Sequence, residues 1–184
     1  MDYYAQHMHN CDLVNLEDML QNGTVISGTL IEKQHSFSTA SNIATQIIAQ
    51  VASSQYGGQS ISLSHLVPFV QVSREKYRKE VAYEFAQSGI EADEETINKV
   101  AELRVQKEVK QGVQMIQYQV ITLMTTNGQS PFVTLFLNLD ENNEYIEENA
   151  MIVEEILRQR LEGIKNEKGV WITPAFPKLI YVLD

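Results

Sequence analysis

Cysteine and tryptophan occur once each and proline four times in this 184-residue chain, and each scarcity removes a class of protein. A lone thiol, Cys11, cannot form an internal disulfide, so the chain is not a small secreted scaffold held by disulfides. Basic residues are also in deficit: 14 Lys and Arg stand against 24 Asp and Glu, a formal net charge of -10. An acidic surface is repelled by phosphate backbones and by anionic lipid headgroups. This weighs against nucleic acid or a membrane as partner and in favour of a small molecule or another protein. Apolar runs such as Phe132 to Leu137 fall far short of the roughly 20 residues a membrane helix requires. No leader with a basic start, an apolar centre and a small-residue cleavage site is visible, so the expected location is the cytoplasm. Also missing are a Ser-His-Asp set, a Walker loop, a dinucleotide fingerprint and a paired-cysteine metal motif.

What is present suits one buried core, with 43% of residues hydrophobic. Residues 1–184 read as a single segment with no complete second domain. An alternation at Asp12-Leu13-Val14-Asn15-Leu16, and another from Thr24 to Ile31 after the turn signal Asn22-Gly23, predict a strand followed by a hairpin. Ser38 or Thr39 is the expected cap of a helix whose apolar residues Ala40, Ile43, Ala44, Ile47, Ile48, Val51 and Ala52 recur at helical spacing. A turn follows at Gly57-Gly58. Pro68 suits the first turn of a second helix running to Gly89, with Phe69, Val72, Tyr77, Val81 and Phe85 inward and Arg74, Lys76, Arg78 and Lys79 outward.

A third and longer helix starts after Asp93. It carries one stripe from Ile97 through Ala101, Val105, Val109, Val113 and Ile116 to Val120, with Gly112 as its weakest point and Asn127-Gly128 as its end. Phe132 to Leu137 is apolar on both faces, the pattern of a parallel strand sheathed by helices at a sheet centre. A loop (138–143), a helix bearing Met151, Ile152, Ile156, Leu157, Leu161 and Ile164, and a last apolar run from Lys178 to Leu183 complete a right-handed parallel unit. Candidate linkers lie at 88–93 and 165–173. That final run leaves an open, apolar sheet edge, a liability for an independent domain, so the chain reads as truncated at its C-terminus.

The residues leave several chemical readings open. Cys11 is either a functional thiol or a small buried apolar residue. His7, His9 and Cys11 alternate and so share a strand face, but further zinc ligands at the usual spacings are lacking. Ser36 to Ser41 at a helix start fits a phosphate or ordinary capping. The cluster Arg74 to Lys79 fits a triphosphate or, because it alternates with Glu75 and Glu80, a solvated helix face. Asn127 to Pro131 before a buried strand, and Asp140 to Asn143 after it, are either ligand loops or plain turns.

Six stretches in register change the reading: Asn10 to Val14; Ser38 to Ser53; Tyr56-Gly57-Gly58; Pro68-Phe69-Val70; Thr126 to Thr134; and Ala175 to Leu179. Together they resemble the anaerobic, class III ribonucleoside-triphosphate reductases over nearly the whole chain, most weakly between about Val81 and Gln119. The resemblance implies an α/β fold of long helices and a few mostly parallel strands, part of a ten-stranded barrel. It implies reduction of ribonucleoside triphosphates to deoxyribonucleoside triphosphates, in which a glycyl radical passes its spin to a barrel cysteine that takes the 3'-hydrogen of the ribose.

Cys11 matches the family's second cysteine, on the first barrel strand and at the opposite face of the ribose. Departure of the 2'-hydroxyl needs a proton, and the radical left behind needs a hydrogen equivalent. A positioned thiol can give both, whereas a serine offers the first but hardly the second. The resemblance further implies substrate contacts from Asn10, Asn127, Gln129 and Ser130, and effector-nucleotide contacts at a homodimer interface from Glu32, Thr39 and Gln46. It implies a radical S-adenosylmethionine iron-sulfur activating enzyme as partner, a structural zinc in the parent enzyme, and formate or a redoxin as electron donor. No metal site is expected in this chain. The barrel thiol, the glycyl-radical segment, the four-cysteine zinc site and an N-terminal regulatory cone find no match, so the isolated chain is expected to be inactive. The alternative is a short dimerisation module that binds effector nucleotides without catalysis.

Overall fold

The computed structural model describes residues 11–54, 57–123, 132–139 and 143–182. In chain order its elements are β1 (Asp12–Leu13), α1 (Leu16–Gln21), β2 (Thr24–Ile26), β3 (Thr29–Ile31), α2 (Phe37–Ser54) and β4 (Gln59–Ser62). A 3-10 helical turn (Leu63–Leu66) leads into α3 (Val67–Ser88), then α4 (Glu94–Thr122), β5 (Val133–Leu137), α5 (Ile146–Glu162), β6 (Ile164–Lys165), β7 (Trp171–Ile172) and β8 (Lys178–Tyr181). Four strands form one parallel sheet in the order β1-β4-β5-β8, while β2 with β3 and β6 with β7 are separate antiparallel pairs.

The helices pack against one face of this sheet. Gln59, Ile61, Val133, Leu135 and Leu137 are buried and share a core with Ala44, Ile47 and Ile48 of α2, Phe69 and Val70 of α3, Val113 and Ile116 of α4, and Ile152 and Ile156 of α5. The alternate residues Ser60, Ser62, Thr134 and Phe136 are only half-buried. The expectation of a β5 strand sheathed on both faces is corrected: among the described residues one face alone carries helices.

Helix α4 is the central post. Its 29 residues reach about 44 Å at 1.5 Å per residue. Asp93 caps it, accepting from the Thr96 amide at 2.9 Å, and hydrogen bonding first with the Thr96 side chain and then with that amide holds the Asp93 carboxyl below its usual range. Gly112 is the point where α2 closes in. A Cβ there would meet Phe37 Cε1 at 2.6 Å and Ser41 Oγ at 2.9 Å, so the residue that weakens helix propensity is the one that permits the contact. The helix ends at Thr122, before the stop expected at Asn127-Gly128, which lies outside the described residues.

Further expectations are corrected. The first strand stops at Leu13, because Asn15 caps α1 and Leu16 and Leu20 bury as an i, i+4 pair. The turn at Gly57-Gly58 runs straight into β4, a strand that was not expected. Arg74, expected in solvent, is buried between Glu102 of α4 (2.8 Å) and Glu148 of α5, with Gln71 beside it, and so ties α3, α4 and α5 together. Leu157 and Leu161 stay exposed, and Ile164 falls in the β6–β7 hairpin, which occupies the expected linker. No helix among the described residues is long and apolar enough to cross a membrane.

Candidate active site

Cys11 stands immediately before β1 and is exposed. Its neighbour Asp12 pairs with Gln59, donates its amide to the Gly58 carbonyl at 3.1 Å, and borders a cleft of about 230 Å³ on the helix side with Met19, Ile26, Ile47 and Val51. The alternation of β1, carried one residue back, would turn Cys11 to the other face, with Leu13, where no described helix packs. This is the N-terminal edge of the sheet. The next strand, β4, is entered there from Gly58, whose missing Cβ would lie 3.4 Å from the Phe132 carbonyl, and Gln59 donates its amide to that same carbonyl at 2.8 Å. The thiol strand, Gly58 and the start of β5 thus meet at one edge.

The other expected substrate residues, Asn10, Asn127, Gln129 and Ser130, lie outside the described residues, as do His7 and His9. Phe132, two positions past Ser130, is the described residue nearest to that loop in sequence. Of the later loop, Asn143 is described and serves as a turn residue, its side chain accepting from the Tyr145 amide at 2.8 Å. Among the described residues, no group of three or more His, Cys, Asp or Glu side chains is placed to hold a metal ion.

Helix α2 carries two of the three expected effector residues on one exposed stripe. Thr39, Asn42 and Gln46 follow at helical spacing, and Gln46 Nε2 donates to Asn42 Oδ1 at 3.3 Å. Glu32 is exposed as well but sits apart from the stripe, in the connection between β3 and α2. The phosphate reading of the α2 start fails. Its first four amides are engaged within the protein: Phe37 donates to Ser73 Oγ (2.8 Å), Ser38 to Glu108 Oε1 (2.9 Å), Thr39 to Ser36 Oγ (3.1 Å) and Ala40 to the Ser36 carbonyl (3.0 Å). Ser36 is thus the cap, in place of Ser38 or Thr39.

Glu108 and Ser73 escaped the sequence reading. The available signal was their spacing, since Glu108 lies three residues past Val105 and next to Val109 on the buried stripe. The carboxylate leaves its mark on Tyr77: burial first, then Glu108, pushes that phenol above its usual pKa. His65, beside α1, is shifted down by burial, an effect that Glu17 partly opposes.

The family model for the anaerobic ribonucleoside-triphosphate reductases matches residues 1–184. Curated relatives of that name include those of Haemophilus influenzae, 38% identical over 96% of this chain, and Escherichia coli, 40% identical over 96% of it. The chain spans 23% of the length of either relative. Among solved structures, the anaerobic ribonucleotide reductase of Thermotoga maritima with dATP bound in the specificity site superposes with a TM-score of 0.56. That match covers 96% of this chain and 29% of the other at 14% identity, so it speaks to fold alone. The matched family, the two relatives and the shared α/β fold with its parallel sheet agree: this chain belongs to the anaerobic ribonucleoside-triphosphate reductase family.

Proposed function

We propose that the chain is part of the catalytic subunit of an enzyme that reduces ribonucleoside triphosphates to deoxyribonucleoside triphosphates. Its four-stranded parallel sheet would then form one portion of a ten-stranded barrel. The observation that carries this reading is the position of Cys11, exposed immediately before β1, where strand alternation carried one residue back from Asp12 would turn it to the face away from the helices. A thiol there can meet a ribose; one turned toward Ile47 and Val51 could not.

In this reading the glycyl radical, generated by a radical S-adenosylmethionine activating enzyme, supplies hydrogen abstraction at the ribose through a second cysteine. That cysteine, the radical glycine and the structural zinc belong to parts of the polypeptide other than this segment. Cys11 serves the opposite face of the sugar, where its S–H gives the proton with which the 2'-hydroxyl leaves as water, and formate or a redoxin, as the external two-electron donor, re-reduces the ribose. Asn10, Asn127, Gln129 and Ser130 hold the substrate. Glu32, Thr39 and Gln46 receive an effector nucleotide at a homodimer interface, for which the polar stripe on α2 is the supporting feature.

The test is Cys11→Ala in the full-length, activated enzyme. Deoxynucleotide formation is expected to fall by at least about a hundredfold, the scale on which a positioned proton donor acts, while dATP still binds. Turnover within a few-fold of the parent would remove Cys11 from the reaction.

A further inference from the structure

We propose that Gln59 is a positioning residue that couples helix α2 to the strand leading from Cys11, so that a ligand on the outer face of α2 is felt at the thiol. The inference rests on the reading of α2 as effector helix and of Cys11 as the thiol that serves substrate.

Gln59 opens β4 and is 1% exposed. Its side-chain Nε2 donates to the Ile48 carbonyl of α2 at 2.8 Å, across the interface between helix and sheet. Ile48 lies in the helix interior, two residues past Gln46, and its carbonyl already belongs to the ladder of α2. On the sheet side, Gln59 pairs with Asp12 and Val133, and its own amide donates to the Phe132 carbonyl. The residues flanking it hold β1: the Gly58 carbonyl accepts from Asp12 and the Ser60 carbonyl from Val14 at 3.0 Å. The path from Gln46 to Cys11 therefore runs through the Ile48 carbonyl, the Gln59 amide, the Gly58 carbonyl and the Asp12 amide.

Stability does not account for a glutamine here. Its Oε1 is buried and finds no hydrogen-bond partner among the described residues, an acceptor whose desolvation weakens a fold. An apolar side chain of similar length would fill the space without that penalty. The other end of α2 explains why displacement should surface at Ile48. Phe37 and Ser38 are tied to Ser73 and Glu108, and the Phe37 ring rests on Gly112. With its N-terminus fixed, α2 can yield to a ligand only along its later turns, where the Gln59 bond reads it.

The experiment uses the full-length enzyme without radical activation. Alkylation of Cys11 by iodoacetamide is followed by peptide mass spectrometry with and without dATP, in the parent and in Gln59→Met, alongside dATP titration calorimetry and thermal melts. In the parent, dATP is expected to change the Cys11 alkylation rate about fivefold or more, the lower end of ordinary allosteric coupling. In Gln59→Met the protein should melt no lower than the parent and still bind dATP, yet the rate ratio should collapse to about one. A ratio near one in the parent, or an undiminished ratio in Gln59→Met, overturns the proposal. A lower melting temperature together with lost dATP binding also overturns it, by making Gln59 a residue of the fold alone. Gln46→Ala separates the underlying reading: if that variant binds dATP like the parent, it is the assignment of α2 as effector helix that has failed.

Discussion

Replacing Gly112 by alanine sets two effects of similar size against each other, and the structure decides between them. In an exposed helix interior the change should stabilise by about 1 kcal/mol, because glycine loses more backbone freedom on folding than alanine. Here the new methyl would sit 2.6 Å from Phe37 Cε1 and 3.0 Å from Phe37 Cδ1. The ring cannot swing clear: Phe37 is fully buried, and its amide is fixed to Ser73. Overpacking of this kind costs about 1–3 kcal/mol, and contact with a pinned ring belongs in the upper half of that range. The net expectation is destabilisation by about 1–2 kcal/mol, a fall of about 2–8 °C in melting temperature for a chain of this size. Urea unfolding followed by far-ultraviolet circular dichroism measures it. The double variant Gly112→Ala with Phe37→Leu should recover part of the loss, since the two sites share one contact. If Gly112→Ala alone raises stability by the propensity increment, α2 does not press on α4 as described.

Arg74→Ala should cost about 3–5 kcal/mol in the same assay, because it strands the buried Glu148 carboxylate without its cation; a loss below about 1 kcal/mol would mean that solvent reaches the cluster. His65 makes stability depend on pH. Burial lowers its folded-state pKa below the ordinary 6.5, so the unfolded chain binds the proton first and stability declines as pH falls from that value through the folded one. His65→Gln should flatten that decline in thermal melts taken across the interval, and an unchanged slope would reassign it to other groups.

The parts of this fold legible in the sequence are those in which neighbours along the chain decide the outcome. The stripe from Ile97 to Val120 marks α4 because its residues face one core, and Asn22-Gly23 marks the β2–β3 hairpin through its turn chemistry. What escaped was settled across the chain. Gln59–Ser62 is too short and too polar to announce a strand; it becomes one because β1 and β5 flank it. Arg74 looks solvated among Glu75, Lys76, Arg78 and Lys79, and its burial depends on carboxylates 28 and 74 positions away. Ser38 or Thr39 was the expected cap of α2, but Ser36 takes that place, accepting from the Thr39 and Ala40 amides, while Ser73 and Glu108 claim the amides of Phe37 and Ser38. For the site, the place of Cys11 beside a strand was readable, whereas the face it takes needed the pairing of Asp12 with Gln59.

That face has a chemistry of its own, apart from any likeness to relatives. Parallel sheets are ordinarily covered on both sides, and here the helices lie against the side of Gln59, Ile61 and Val133. The opposite side presents Leu13, 77% exposed, with Ser60, Ser62, Thr134 and Phe136. A dry helical layer would strand the hydroxyls of Ser60 and Thr134, though not that of Ser62, which pairs with Ser64 Oγ at 2.6 Å, while bulk water is a poor neighbour for Leu13 and Phe136. The mixture is satisfied by a cover that brings hydrogen-bond partners and apolar contact together, as the two faces of a sugar do or as a wall of mixed side chains does. A thiol at the rim of such a surface is open to reagents, and a cover that fills the space should shield it. Protection of Cys11 from alkylation in the full-length enzyme on addition of a ribonucleoside triphosphate is therefore the expected sign that the substrate, and not a fixed layer of protein, completes this face.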